Sequence, residues 1–462
     1  MTDVNAMGRN MEDGDGCGPK KSQKKRKKAD KWRAERPRDL FEKLDTLPES
    51  KQQEIQRALH LFSFGQTMPR TLQQAMRRPY KFWHTQPVPK LGEEVLNHDG
   101  QISEGEASAR EEPYSLPPGF SWDTLDLSRP PVLQELCRLL NGNYTEDDDN
   151  TVTYDFSVEY LQWVLQPPNW LAQWHCGVRV DSNRKLVGFI AAVPADVQIY
   201  GTEKRMAQIK FLCVHKKLRL KRMTPVLIRE LARRVQRRGV AQAVYTASVV
   251  LPTPLSSCRL WHRPLNLRKL LEVQYPGIRG DMPLQRAHKF YRLPEDAKTA
   301  GFRPMTRGDV ERTQELLRAH LGKFHLAASW SREEIQHWFL PREGLIDTYV
   351  GEAGDGGLTG VVSFFGVSSK VLNHQLHSSL RAAHLFCAAS AAGGDLVRLV
   401  EDALLMLKTK GFDVVIAADV MDNQRFLETL KFGFSGKRLH YYLYNWRCPR
   451  LSPDEVGMVL PN

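Results

Sequence analysis

The 462-residue sequence lacks any apolar run approaching the roughly 18 residues that a membrane-spanning helix takes. No apolar segment follows Met1-Thr2-Asp3, so no secretory signal is visible. The seven cysteines are odd in number and none stands in a C-x-x-C pair, which argues against a disulfide framework or a structural zinc site. The 14 histidines form no H-E-x-x-H, and no metal site is expected. Neither G-x-x-x-x-G-K-[ST] nor G-x-G-x-x-G occurs. What is present is a large apolar share, 41%, with 10 Trp, 13 Tyr and 19 Phe, which excludes wholesale disorder. The expectation is a soluble, cytoplasmic chain with a sizeable core.

The net charge of +13 is concentrated. Lys20 to Arg38 holds seven Lys and four Arg against Asp30 and Glu35, so this stretch supplies most of the excess. Lys24-Lys25-Arg26-Lys27-Lys28 repels itself and is read as disordered. It offers point charges to phosphate on a ribosome, RNA or an acidic membrane, and a solvated tail or a nuclear-import signal stays open beside that reading. Residues 39–62 show helical apolar spacing, and 97–113 reads as an acidic loop. The domain reading is a basic tail over 1–38, an N-terminal helix and linker over 39–76, and two halves over 77–290 and 291–462.

An internal echo suggests those halves. Lys185 to Tyr200 reads as two strands broken at Pro194. A strand at Ile209–Val214, a helix near 224–238 and a strand at Val240–Ser248 follow. Leu358 to Leu372 again reads as two strands. It is followed by a strand at Ala382–Ala388, a helix near 396–410 and a strand at Phe412–Ala418. Two such units point to a duplicated fold or one long mixed sheet.

The segment Phe211-Leu212-Cys213-Val214-His215-Lys216-Lys217-Leu218-Arg219-Leu220-Lys221-Arg222-Met223-Thr224-Pro225 runs from an apolar strand through a cationic loop into a helix. Thr224 suits an N-cap and Pro225 the first helical position. Such a loop aims backbone N–H groups, a positive helix end and several cations at one spot, which suits a di- or polyphosphate. A solvated sheet edge is the plainer reading of the same residues.

Motifs in order along residues 77–460 carry a resemblance. Tyr80-Lys81-Phe82-Trp83-His84-Thr85-Gln86-Pro87-Val88-Pro89 resembles the Y-x-F-W-D-T-Q-P-V-P segment of glycylpeptide N-myristoyltransferases, and Phe211 to Arg219 resembles their N-F-L-C-V-H-K-K-L-R. Glu146-Asp147-Asp148-Asp149-Asn150, Gln173 to Arg179, Val244-Tyr245-Thr246-Ala247, Trp261-His262-Arg263 and Tyr441 to Trp446 match further, closest to the animal enzymes. The resemblance implies a mixed α+β fold, with two acyl-CoA N-acyltransferase-like halves in pseudo-twofold relation forming one saddle-shaped sheet with surrounding helices. It implies transfer of myristate from myristoyl-CoA to an N-terminal glycine by a monomeric, metal-free enzyme.

By the same resemblance, Lys81, Phe82 and Trp83 lie along the CoA. The segment Phe211, Leu212, Cys213, Val214, Arg219, Leu220, Lys221, Arg222, Met223 and Thr224 cradles its thioester and phosphates, with the N–H groups of Phe211 and Leu212 as oxyanion hole and Cys213 as wall. The chain's terminal carboxylate, on Asn462 behind Gly457-Met458-Val459-Leu460, is the base. Thr246 holds the amine. Tyr144, Asp147, Asp149, His262 and Ser369 take the peptide, the aspartates favouring a basic residue.

Departures fall on the same segments. Lys210 stands in place of an asparagine, Ser248 of a glycine and His84 of an aspartate, while Lys431 to Lys437 lacks the acid of K-F-G-x-G-D-G. The tail has two residues, Pro461 and Asn462, after the V-L pair where one is the pattern, which can move a carboxylate by roughly 3.3–3.6 Å. They motivate the alternative of a pseudoenzyme that binds acyl-CoA or N-terminal peptides. A ribosome- or RNA-binding protein on the same fold is a second alternative, motivated by the tail.

Overall fold

The computed structural model describes residues 69–98, 100–103, 110–144, 151–221, 223–278, 282–372 and 374–461. The basic tail, the helix expected over 39–62, the acidic run 146–149, Arg222 and Asn462 lie outside the described residues, and so do the side chains of Leu220 and Lys221.

Among the described residues fifteen strands form one sheet. The first half of the chain supplies β1 (Phe120–Thr124), β2 (Val152–Asp155), β3 (His175–Val180), β4 (Leu186–Ile199), β5 (Thr202–Val214), β6 (Ala243–Ala247) and β7 (Ser256–Pro264). The second supplies β8 (Arg303–Pro304), β9 (Leu326–Ser329), β10 (Ile346–Glu352), β11 (Leu358–Val371), β12 (Ser379–Ser390), β13 (Val414–Ala418), β14 (Gly433–Tyr444) and β15 (Val456–Gly457). The main path runs β1-β3-β4-β5-β6-β14-β7-β13-β12-β11-β10-β8. Four helices matter below: α1 (Pro130–Asn143), α2 (Met223–Gln236), α3 (Arg332–Phe339) and α4 (Leu396–Thr409).

The echo is real, with one correction. Each half is a long antiparallel hairpin, a crossover helix and a parallel strand: β4–β5, α2, β6 in the first and β11–β12, α4, β13 in the second. The stretches read as broken pairs, 185–200 and 358–372, are each one 14-residue strand. Pro194 does not break β4 because of where it falls. On one side β4 pairs with β3 up to Ala191 and with β9 from Asp196, leaving Pro194 between the two partners where a missing N–H costs no ladder bond.

The halves exchange strands. β14 of the second half lies between β6 and β7, β9 pairs with β4, and β2 of the first half pairs with β11. The exchange has an approximate twofold sense, and it merges the halves over one apolar core running from Leu125 to Leu460. Each crossover helix closes a satellite core on its own half. α2 seats Met223, Leu227, Leu231 and Val235 on Val178, Val187 and Ile190. α4 seats Leu396, Leu399, Val400, Ala403, Leu404 and Leu407 on Val362, Leu385 and Val415. These i, i+3, i+4 spacings are why both segments are helical, and Asp395 caps α4 by accepting from the Arg398 N–H.

Candidate active site

β5 and β6 form a fork. Their parallel pairing consists of Ala207 with Ala243 and Gln208 with Val244, and beyond it the strands part. Two residues past that pairing stand Lys210 on one arm and Thr246 on the other. β6 is held by β14, where Thr246 faces Tyr441.

The β5 arm carries a bulge. Lys210 pairs with Ala191 and Cys213 with Phe189, so Phe211 and Leu212 together face Ile190 alone. Phe211 takes φ +46°, a left-handed backbone that costs a bulky residue about 1–2 kcal/mol. Its ring repays this by burial against Tyr144 and Phe156, with centroids 5.5 and 5.4 Å away. Leu212 is the more exposed of the two, at 36%. A bulge turns consecutive N–H groups out of the ladder, which is how a strand can present fixed amide dipoles to a ligand. Cys213 behind it is buried, which pushes its thiol up to about 12 and keeps it a thiol.

The tail enters the fork from the far side. β15 pairs in parallel with β9, which itself extends β4. Met458, Leu460 and Pro461 are buried. Tyr441 Oη donates to the Met458 carbonyl at 2.9 Å, and Lys210 Nζ to the Pro461 carbonyl at 2.5 Å. The tail is thus bonded to β14 beside one arm and to β5 on the other. A cavity of about 30 Å³, room for one or two waters, lies beside Pro461 among Gln208, Glu334 of α3 and Trp338 of α3. Burial raises the Glu334 carboxyl above its ordinary value.

On the opposite flank the cationic loop is a 3-10 turn over Lys216–Lys221 leading into α2. The helix begins at Met223, one residue ahead of the expected cap, so Thr224 and Pro225 sit in its first turn. Arg219 Nη2 donates to the Asn143 carbonyl at the end of α1, 2.6 Å away, tying the turn to that helix. The side chains of Met223 and Val214 point into the α2 core, so these two can offer a ligand only backbone. Trp83 stacks on Tyr245 of β6 at 6.3 Å, Tyr245 on Tyr442 at 5.1 Å, and the Arg229 guanidinium lies 5.5 Å over Phe82. Lys81 is exposed. Aromatic faces, a cationic turn and a helix N-terminus along one edge fit a nucleotide carrying phosphates.

The remaining expected residues divide. Tyr144 reaches the bulge through Phe211, and Ser369 of β11 pairs with Tyr154 of β2, whose ring stacks on Phe156. These two therefore join one aromatic wall with Phe211. His262 is buried at 4% exposure on β7, packed against Tyr275, and burial holds its imidazole down at about 3. It is a neutral ring held within the packing of β7. Sequence reasoning missed Tyr441, Arg229 and Tyr245 as contributors. Tyr245 and Tyr441 lay inside matched motifs, whereas Arg229 had no signal beyond its helix.

Two family models match the chain: Myristoyl-CoA:protein N-myristoyltransferase, N-terminal domain, over residues 101–258, and its C-terminal domain over residues 272–459. The chain is 54% identical over 414 residues to glycylpeptide N-tetradecanoyltransferase 2 of Danio rerio, covering 90% of this chain and 84% of that one. Against the Bos taurus protein of the same name it is 53% identical over 418 residues, with the same coverage. Its structure resembles the crystal structure of Saccharomyces cerevisiae N-myristoyltransferase with bound myristoyl-CoA, at TM-score 0.80 and 33% identity, covering 83% of this chain and all of that one.

Proposed function

The chain belongs to the myristoyl-CoA:protein N-myristoyltransferase family, and on that premise we propose a route by which it carries myristate from myristoyl-CoA to the α-amine of an N-terminal glycine. It is an acyltransferase, and its co-substrate is myristoyl-CoA. The observation that carries the route is the bulge at Phe211–Leu212 next to Lys210, whose ammonium bonds the carbonyl of the buried Pro461.

In this reading the thioester oxygen lies against the N–H groups of Phe211 and Leu212. Charge gathers on that oxygen as the amine adds, and each fixed donor is worth roughly 3–4 kcal/mol to the barrier. The new bond is the glycine C–N amide, the broken one is C–S, and CoA leaves as its thiol. The amine attacks directly, since a buried, protonated Cys213 is a poor nucleophile. An α-amine with an ordinary pKa of about 8 is mostly ammonium at neutral pH, so a base must take its proton. We assign that base to the carboxylate at Asn462, and the amine's seat to the Thr246 hydroxyl. Lys81, Phe82, Trp83, Arg219 and the start of α2 hold the CoA. Tyr144, Ser369 and the neutral ring of His262 line the peptide's path, and Asp147 and Asp149 attract a substrate cation. The lysine-rich stretch 20–38 is assigned to docking on ribosomal or membrane phosphate, in the cytosol, with the enzyme a monomer.

The test is steady-state CoA release from myristoyl-CoA with a Gly-initiated, lysine-containing octapeptide, beside direct binding of the acyl-CoA. Turnover that vanishes when the first Gly is acetylated is expected. Tight acyl-CoA binding without turnover across several Gly peptides would sink the reading. The alternative of a binding protein without turnover finds no support in the relatives named above, each of which carries a transferase name. Deleting residues 1–38 should abolish ribosome or vesicle association and spare turnover.

A further inference from the structure

Lys210 is the most unusual residue of the fork. It is fully buried, at 0% exposure, on a strand otherwise lined there by apolar side chains and Gln208. A buried lysine ordinarily finds a carboxylate. Among the described residues none forms a salt bridge with Lys210, and burial alone lowers its ammonium well below the ordinary value. Among the described residues its hydrogen-bond acceptor is a backbone carbonyl, that of Pro461, and the face of Trp338 lies 5.9 Å from Nζ.

That carbonyl needs a donor. Beyond Gly457 the tail has left the sheet, and Pro461 brings no N–H of its own. The bonds described to the carbonyls of 458–461 come from two side chains, Tyr441 at Met458 and Lys210 at Pro461. Tyr441 grips three residues upstream, so among the described residues Lys210 is the side-chain donor nearest the end of the tail. Lys210 also adjoins Phe211, so one residue ties the end of the tail to the bulge.

We propose that Lys210 is a positioning residue that clamps the Pro461 carbonyl and so sets where the last residue of the tail stands relative to the bulge. The inference deepens the proposed route and rests on it, because the clamp affects catalysis only if that last residue supplies the base.

The test uses the full chain with Lys210→Met, which keeps length and apolar volume but cannot donate, and Lys210→Gln, which can. Hydrogen exchange of the C-terminal peptide reads the clamp directly, and kcat and KM read its consequence. In Lys210→Met the amides of Val459 and Leu460 should exchange at least about tenfold faster. Its kcat should fall about 100-fold, the scale of an ångström's misplacement, with both KM values moving less than about threefold. Lys210→Gln should recover part of both effects. In chains lacking Pro461 and Asn462, Lys210→Met should change residual kcat no further. Unchanged exchange in Lys210→Met overturns the proposal, as does an equal loss of kcat in the shortened chain. Faster exchange with kcat intact leaves the clamp standing and removes the base from the tail, so the two failures are distinguishable. Should Lys210→Met not fold, the same readouts are taken on Lys210→Gln, where faster tail exchange with a matching partial fall in kcat supports the clamp and a fall in kcat with unchanged exchange overturns it.

Discussion

Gly457 shows how little room the tail has. A Cβ there would lie 2.6 Å from Phe324 Cδ2 and 3.0 Å from Phe324 Cβ, so the ring and its stem must both yield. Gly457→Ala should therefore cost about 1–3 kcal/mol of stability and displace the tail, lowering kcat at least tenfold. Phe324→Leu in the same chain should restore much of both, measured by urea unfolding and turnover. At this scale the sequence was informative about residue identity and poor about partners. The strand-to-helix segment after Phe211 and the V-Y-T-A segment could be read because each is local. Lys210 stood out only as a departure, since its partner lies 251 positions away and a contact that distant leaves no spacing to read. The positive φ of Phe211 was equally hidden, because a phenylalanine at a bulge carries no glycine to announce it.

The two crossover helices are equivalent in packing and unequal in duty. Leu227 of α2 and Leu404 of α4 are both fully buried, so Leu227→Ala and Leu404→Ala should each cost about 2–5 kcal/mol. The start of α2 belongs to the proposed CoA cradle, whereas α4 opens after the loop 391–395 on the other half. Only Leu227→Ala should raise the KM for myristoyl-CoA, by about threefold or more, in assays at a temperature where both variants stay folded. The helices were legible from their apolar spacing, and so were the strands that flank them. The break at Pro194 was misread because a proline looks the same in a sequence whether its nitrogen meets a neighbouring strand or the space between two. The fork itself was illegible, since parting of β5 from β6 depends on β14 arriving from the other half.

At the scale of the molecule, burial of uncharged histidine makes stability fall in mild acid. His175 and His262 are almost wholly buried, with imidazoles held down at about 4 and about 3. An unfolded histidine titrates near 6.5, so between that pH and about 4 the unfolded chain binds protons the folded one refuses. Stability should be fully present above about pH 6.5 and decline as pH falls, by on the order of 3 kcal/mol per histidine at pH 4. Glu334, whose carboxyl burial raises, offsets a part. Urea midpoints measured from pH 7.5 to 4 check this, and His262→Gln should flatten the slope if it folds.

The exchange of β14 for β7 has a consequence for how the chain is made. β6 leaves the ribosome with one flank unpaired, and the strand that covers it, Gly433–Tyr444, is synthesised only after β7 to β13. Until then the first half exposes an open strand edge, the feature through which nascent chains mispair with one another. Neither half can complete its sheet alone, so a chain stalled before Tyr444 should be a substrate for chaperones rather than a folded domain awaiting its partner.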